Sequence, residues 1–212
     1  MRARMALYVS GQIFEIREVK LKNKPIELIE LSPKGTVPVL ALSTGEMFEQ
    51  SLDIMCWALR KNDPLNWLAP EHGDLESMVD FIEMFDNDFK FNLDRYKYPQ
   101  RYEIVDALIY RQECERFIEI LDKLLNKNVY LFGRQPSLVD YAILPFVRQF
   151  ANTDRDWFDS LPYSILKGWL GTLLNDRPFI NIMDKYPAWE LGNKPIIFAG
   201  PAIKNKNSVS DI

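Results

Sequence analysis

SPKGTVPVLALSTGEMFEQSLDIMCWAL, Ser32 to Leu59, decides how this chain is read. Val37 to Leu42 is a short apolar, β-branched run and predicts a buried strand, yet Pro38 removes a ladder hydrogen bond from its start. Two readings of that proline follow from the residues: a trans proline at a strand start, or a Val37–Pro38 bond held cis, which turns the Val37 backbone groups from the sheet toward a ligand. Ser43-Thr44-Gly45 is a turn signal, Glu46 to Glu49 predicts a second short strand, and Leu52, Ile54, Met55 and Ala58 recur at helical spacing. Ser51 stands where that helix opens. It reads either as a plain N-cap or as part of a helix mouth whose free N–H groups bind a carboxylate.

TVPVL, a β-turn and then QSLDI opening a helix resemble the glutathione-binding half of the glutathione transferase superfamily, bacterial cysteine-type, omega and glutaredoxin-2-like. The resemblance implies a thioredoxin-like α/β N-terminal domain followed by an all-α C-terminal domain. It implies a cis Pro38, a two-way backbone contact from Val37 to the cysteinyl part of glutathione, and a γ-glutamyl grip by Gln50 and Ser51. Lys34 or Thr36 would reach the glycyl carboxylate. Glutathione is then the co-substrate, a small electrophile or a mixed disulfide the second substrate, and a homodimer the expected assembly. A non-catalytic binding or assembly module of the same fold is the alternative.

Upstream, Met1 to Val9 predicts a helix stopped at Ser10-Gly11, Ile13 to Val19 a strand, and Lys24-Pro25 the start of a helical segment through Leu31. The family places a strand and a Cys-Pro-Tyr motif before such a first helix, and the matching cysteine is not in these residues. The expectation is a natural start roughly fifteen residues upstream, the length of a strand, a turn and the motif. The alternative is a shortened half-domain whose gap closes by strand slippage or is filled by another segment, for which KPIIFAG, Lys194 to Gly200, is the local candidate. No catalytic residue is therefore assigned. Cys56 and Cys114 read as buried small apolar residues, Tyr8 lies past the start of its helix, and Arg2 and Arg4 read as ligand-facing or as flanking charge.

The boundaries expected are 1–62 for the first domain, 63–73 for a linker rich in breakers, 74–191 for the helical domain and 192–212 for a loosely held tail. Met78, Phe81, Ile82, Phe85 and Phe89 predict a helix from Asp74 to Tyr98, and a second runs from about Arg101 to Asn126. The resemblance puts the electrophile pocket beside the first of these, lined from Phe85, Asn87 or Phe89. Ser137 with Asp140 three residues on, before an apolar run, is a capping-box pattern with Asp in place of Glu. In the family this pair opens the buried central helix, which makes Asp140 a folding residue.

The chain carries 26 Lys and Arg against 30 Asp and Glu, interleaved, for a net charge of −4. That argues against a nucleic-acid partner. No apolar run reaches the roughly 20 residues of a membrane helix, and two cysteines without metal-ligand spacing suit a reducing, cytoplasmic setting. A lone His72 in a loop gives neither a metal site nor a triad.

Overall fold

The computed structural model describes residues 1–200. In chain order the elements are α1 (Arg2–Val9), β1 (Ile13–Ile16), α2 (Ile26–Leu31), β2 (Leu40–Ala41), β3 (Met47–Phe48), α3 (Ser51–Lys61), α4 (Leu75–Met84), a π turn (Phe85–Phe89) and α5 (Lys90–Lys97). A 3-10 turn (Pro99–Tyr102), α6 (Leu108–Leu125), α7 (Leu138–Ala151), α8 (Arg155–Ser160), α9 (Ser164–Leu174), α10 (Arg177–Ile180) and β4 (Ile196–Ala199) complete it. Two compact units result among the described residues: Met1–Leu65 together with residues 177–200, and Asn66–Asp176. Residues 177–191, expected with the helices, thus fall in the first unit.

In the first unit α1 packs along α3 and meets α10. Met5, Ala6, Ile54, Met55 and Ala58 are almost wholly buried, which is the helical spacing of both segments turned toward one another. The sheet is in two pieces, β2 with β3 and β1 with β4, each antiparallel. The stretch Ile196–Ala199, the strand-like run of the expected tail and part of the KPIIFAG candidate for filling the half-domain, runs in a four-residue register with β1, from Ile13 opposite Ala199 to Ile16 opposite Ile196. Phe198 is buried there, its ring centroid 5.1 Å from that of Phe14 and 6.2 Å from that of Tyr8. Gly200 passes so close to α1 that a Cβ at this position would stand 1.9 Å from the Tyr8 carbonyl oxygen. Further back, the Trp189 N–H donates to the Glu18 carbonyl at 2.8 Å and the Arg17 guanidinium lies 4.7 Å over the Trp189 ring.

The second unit is wholly helical among the described residues. α7 is its axis: twelve of its fourteen residues are buried, including Pro145, and α4, α5, α8 and α9 pack on it. Phe85, Phe89, Phe117 and Phe150 join ring to ring beside it, with centroids 5.2–5.8 Å apart. Helix α6 begins at Leu108 rather than near Arg101. Pro99 opens a separate turn, Glu103 takes a left-handed φ of 54°, and the Asp106 carboxylate accepts the Leu108 N–H, so the helix is capped seven residues later than its apolar pattern suggests. The run expected from Asp74 to Tyr98 is one rod with a π turn in its middle, and Asp74 caps it by accepting the Ser77 N–H at 2.8 Å.

Candidate functional site

The β2–β3 hairpin organises the first unit's loops. Leu40 faces Phe48 and Ala41 faces Met47, with the turn closed by Gly45 N–H on the Leu42 carbonyl at 3.0 Å. The segment leading into β2, through Pro38, and the segment leaving β3, through Gln50, therefore lie at the same end of the hairpin. The Val37–Pro38 peptide bond is cis, and Val37 is exposed. The expected strand of Val37–Leu42 is accordingly only two residues of ladder, Leu40–Ala41, with Val37 to Val39 as loop.

Ser51 is the first residue of α3, and Gln50 precedes it in extended conformation. No side chain caps this helix. The first-turn N–H groups have no partner within the helix and carry the positive end of its dipole, which makes this end complementary to a carboxylate. Asp53 in the first turn offsets part of that field.

A hydrogen-bonded clasp beside the helix mouth escapes sequence reading. The Glu49 carboxylate accepts the hydroxyl of fully buried Ser32 at 2.5 Å and pairs with the Lys34 ammonium at 3.2 Å. The Ser32 hydroxyl, and after it Lys34, holds the Glu49 carboxyl below its ordinary range. Between them Gly35, with φ 57°, turns the chain where a Cβ would meet Ile29 at 2.7 Å. The Lys24 ammonium lies 3.6 Å from that same Cβ position and had no signal of its own in the sequence. Lys34 is therefore engaged with Glu49, whereas Thr36 is exposed.

The groups considered for activation are occupied elsewhere. Arg4 pairs with Glu18 at 2.6 Å and lies over the Tyr186 ring, Arg2 is buried, and the Tyr8 ring packs against Phe198. Burial pushes the Cys56 thiol up, and it pushes Cys114, whose Sγ faces the Phe89 carbonyl, up to about 12. Phe85 and Phe89 are fully buried in the aromatic core and line no pocket surface, while Asn87 is exposed. Residues of α6, α9 and the loop between α6 and α7, among them Leu125, Val129, Ile165 and Thr172, border a surface groove of about 560 Å³ that touches none of the residues expected at a site. No group of described His, Cys, Asp or Glu residues could hold a metal ion, and no described helix is long and apolar enough to cross a membrane.

Asp140 sits at the start of α7 and is fully buried. Its carboxylate accepts the Ser137 N–H at 2.9 Å and hydroxyl at 3.1 Å, the Leu131 N–H at 3.0 Å and the Trp169 Nε1–H at 2.9 Å. Ser137 and Asp140 form the expected capping box, and the same carboxylate also fastens a loop and α9. Burial raises the Asp140 carboxyl pKa, against the pull of these donors.

The glutathione S-transferase N-terminal domain family matches residues 1–61, and the glutathione S-transferase C-terminal domain family matches residues 99–190. The chain belongs to the glutathione S-transferase superfamily, with a thioredoxin-like half and an all-helical half. Among curated proteins it is similar to glutathione S-transferase omega-1 of Sus scrofa, 26% identical over 178 residues that span 82% of this chain and 72% of the relative. The same protein of Mus musculus is 29% identical over 150 residues, 70% of this chain and 61% of the relative. Two solved structures share the fold. BphK, a bacterial transferase in a ternary complex, has a TM-score of 0.70 at 20% identity, covering 85% of this chain and 90% of that one. URE2P6 of Phanerochaete chrysosporium, in complex with oxidized glutathione, has a TM-score of 0.74 at 16% identity over 85% and 87%.

Proposed function

We propose that this chain binds glutathione at the hairpin end of its first unit and acts as a cytoplasmic, homodimeric glutathione transferase-like protein on small electrophiles or mixed disulfides. Gln50, Ser51 and the first-turn N–H groups of α3 hold the γ-glutamyl carboxylate. Val37, beside Pro38, offers its main chain to the cysteinyl part. Thr36, with Lys34 shared from Glu49 and Lys24 close by, meets the glycyl carboxylate. The observation that carries this reading is the register of β2 with β3, which brings the Val37–Pro38 loop and an uncapped helix mouth to one end of the hairpin.

In conjugation, the glutathione sulfur attacks the electrophilic carbon and the leaving group departs with its electron pair. In deglutathionylation, a thiolate attacks the glutathione sulfur of a mixed disulfide and releases the other thiol. Conjugation uses the thiolate of glutathione itself, whereas thiol transfer by the protein needs a protein thiolate, and Cys56 and Cys114 are buried with raised pKa. That observation favours a second reading, a binding module of this fold in which glutathione is held without turnover.

Titration calorimetry with glutathione, run beside a mixed-disulfide and an electrophile assay, tests both. Binding with turnover supports the transferase, binding without turnover supports the module, and absence of binding refutes both. Ser51→Ala is expected to weaken glutathione about ten- to a hundredfold, the value of one hydrogen bond to a charged group. An unchanged affinity removes Ser51 from the site.

A further inference from the structure

In the β1–β4 ribbon, Phe14 and Phe198 share one side, against Tyr8, whereas Ile13 with Ala199 and Glu15 with Ile197 stand on the other. Arg17 continues that second side: its guanidinium donates to the Glu15 carboxylate at 2.9 and 3.1 Å and lies over the Trp189 ring. The chain then enters a turn closed by the Asn23 N–H on the Lys20 carbonyl at 2.8 Å, with Leu21 and Lys22 at its tip. Helix α2 follows and buries none of its residues. Ile13, Leu21, Ile26 and Ile197 are each 61–72% exposed, and apolar side chains bared together in this way mark a surface that meets something other than water. Cations gather in the same segment. Lys20, Lys22 and Lys24 are exposed and in no ion pair among the described residues. The acids beside them are engaged, Glu15 with Arg17 and Glu18 with Arg4, while Glu27 acts on the same Arg17, which leaves Glu30 against three lysines.

We propose that this side of the first unit docks on the headgroup layer of an anionic phospholipid bilayer, with Leu21 and Ile26 entering the boundary and Lys20, Lys22 and Lys24 meeting the lipid phosphates and carboxylates. A lysine lays its stem along apolar neighbours while its ammonium stays in the headgroup layer, so alternating Lys and Leu at a turn tip serves both zones at once. The half-buried Trp189 ring beneath Arg17 has the amphipathic character that suits such a boundary. A neutral bilayer would use only the apolar side chains and a soluble polyanion only the lysines; an anionic lipid surface uses both. The chain as a whole carries −4, so the rest of its surface is repelled and the local excess of cations sets which side faces the lipid. The attachment is peripheral and reversible. It stands on the outer side of the first unit and does not depend on glutathione binding, and Lys24, which lies close to the proposed glycyl subsite, is left intact in the test.

Co-sedimentation of the full chain with vesicles of phosphatidylcholine, alone or mixed with phosphatidylserine, measures the attachment. Binding to the mixed vesicles only, weakening as salt is raised, is expected. Lys20→Ala together with Lys22→Ala should weaken it about thirtyfold, at about fivefold for each lysine near the surface. Leu21→Ser should weaken it about tenfold with every charge retained. All three positions are exposed, so unchanged thermal unfolding shows that the variants keep the fold. Absence of binding to the mixed vesicles, or binding that Leu21→Ser leaves unchanged, overturns the proposal. Retention on heparin without vesicle binding assigns the lysines to a soluble polyanion and overturns it as well.

Discussion

Replacing Asp140 by alanine should be as damaging as hollowing out the aromatic core of the helical unit. The substitution removes the acceptor of four hydrogen bonds. The Ser137 hydroxyl can turn to another acceptor. The Leu131 and Ser137 N–H groups and the Trp169 indole N–H cannot, and their residues are only 2%, 1% and 4% exposed. Leaving a buried donor without a partner costs about 1–3 kcal/mol, so three of them, with some relaxation and water entry, come to about 3–5 kcal/mol. A loss of that size is comparable with the whole stability of many domains. Ser137→Ala, which keeps the carboxylate and all three N–H donors, should cost only about 0.5–2 kcal/mol. Urea unfolding followed by circular dichroism and tryptophan fluorescence reads both, at unchanged m-value. Asp140→Asn separates charge from acceptor. Because burial raises the folded pKa of Asp140 above its ordinary value, the contribution from its titration is fully present below the unfolded pKa and lost as pH rises through the folded one. The parent's stability relative to the Asn variant should therefore fall with rising pH. An Asp140→Ala loss under about 1 kcal/mol, or no larger than that of Ser137→Ala, would refute the account of this carboxylate as the fastener of three segments.

The other expectations are briefer. Iodoacetamide at neutral pH should leave Cys56 and Cys114 unmodified in the folded chain and label both in urea, as read by intact mass; rapid native labelling of Cys114 contradicts its burial and its pKa of about 12. Phe198→Ala should cost about 2–3 kcal/mol and speed hydrogen exchange at Ile13 to Ile16, and Gly200→Ala should do the latter through its clash with the Tyr8 carbonyl; unchanged exchange in both would dissolve the β1–β4 ladder. Glu49 has a folded pKa below its ordinary 4.5, so its contribution is present above that value and lost as pH falls through the folded pKa. Glu49→Gln should flatten the acid limb of thermal stability, and identical limbs would deny the Ser32–Glu49–Lys34 clasp any role.

Local signals made half of this molecule readable. Turn residues between two short apolar runs marked the hairpin, and Gln50-Ser51 before a helical period marked the mouth of α3. Ser137 and Asp140, three apart, announced a helix start. What they could not announce is that Trp169 and Leu131 would also reach that carboxylate, since these contacts join residues distant in sequence and carry no periodicity. The same limit hid the clasp of Ser32 and Lys34 on Glu49. It also hid the pairing of Ile196–Ala199 with Ile13–Ile16, because an edge strand of four residues is too short to declare its partner. The start of α6 was displaced by backbone chemistry at Pro99, Glu103 and Asp106, which the apolar pattern of the helix ignores.

The pairing of β1 with β4 has a consequence for biosynthesis. The helical unit is one uninterrupted segment and can complete its core as soon as Asp176 has left the ribosome. The other unit is assembled from segments on either side of it, so during translation α1 and β1 wait with a bare strand edge until more than a hundred further residues have been made. That interval is when a nascent chain is open to aggregation, and chaperone capture before β4 emerges would answer it.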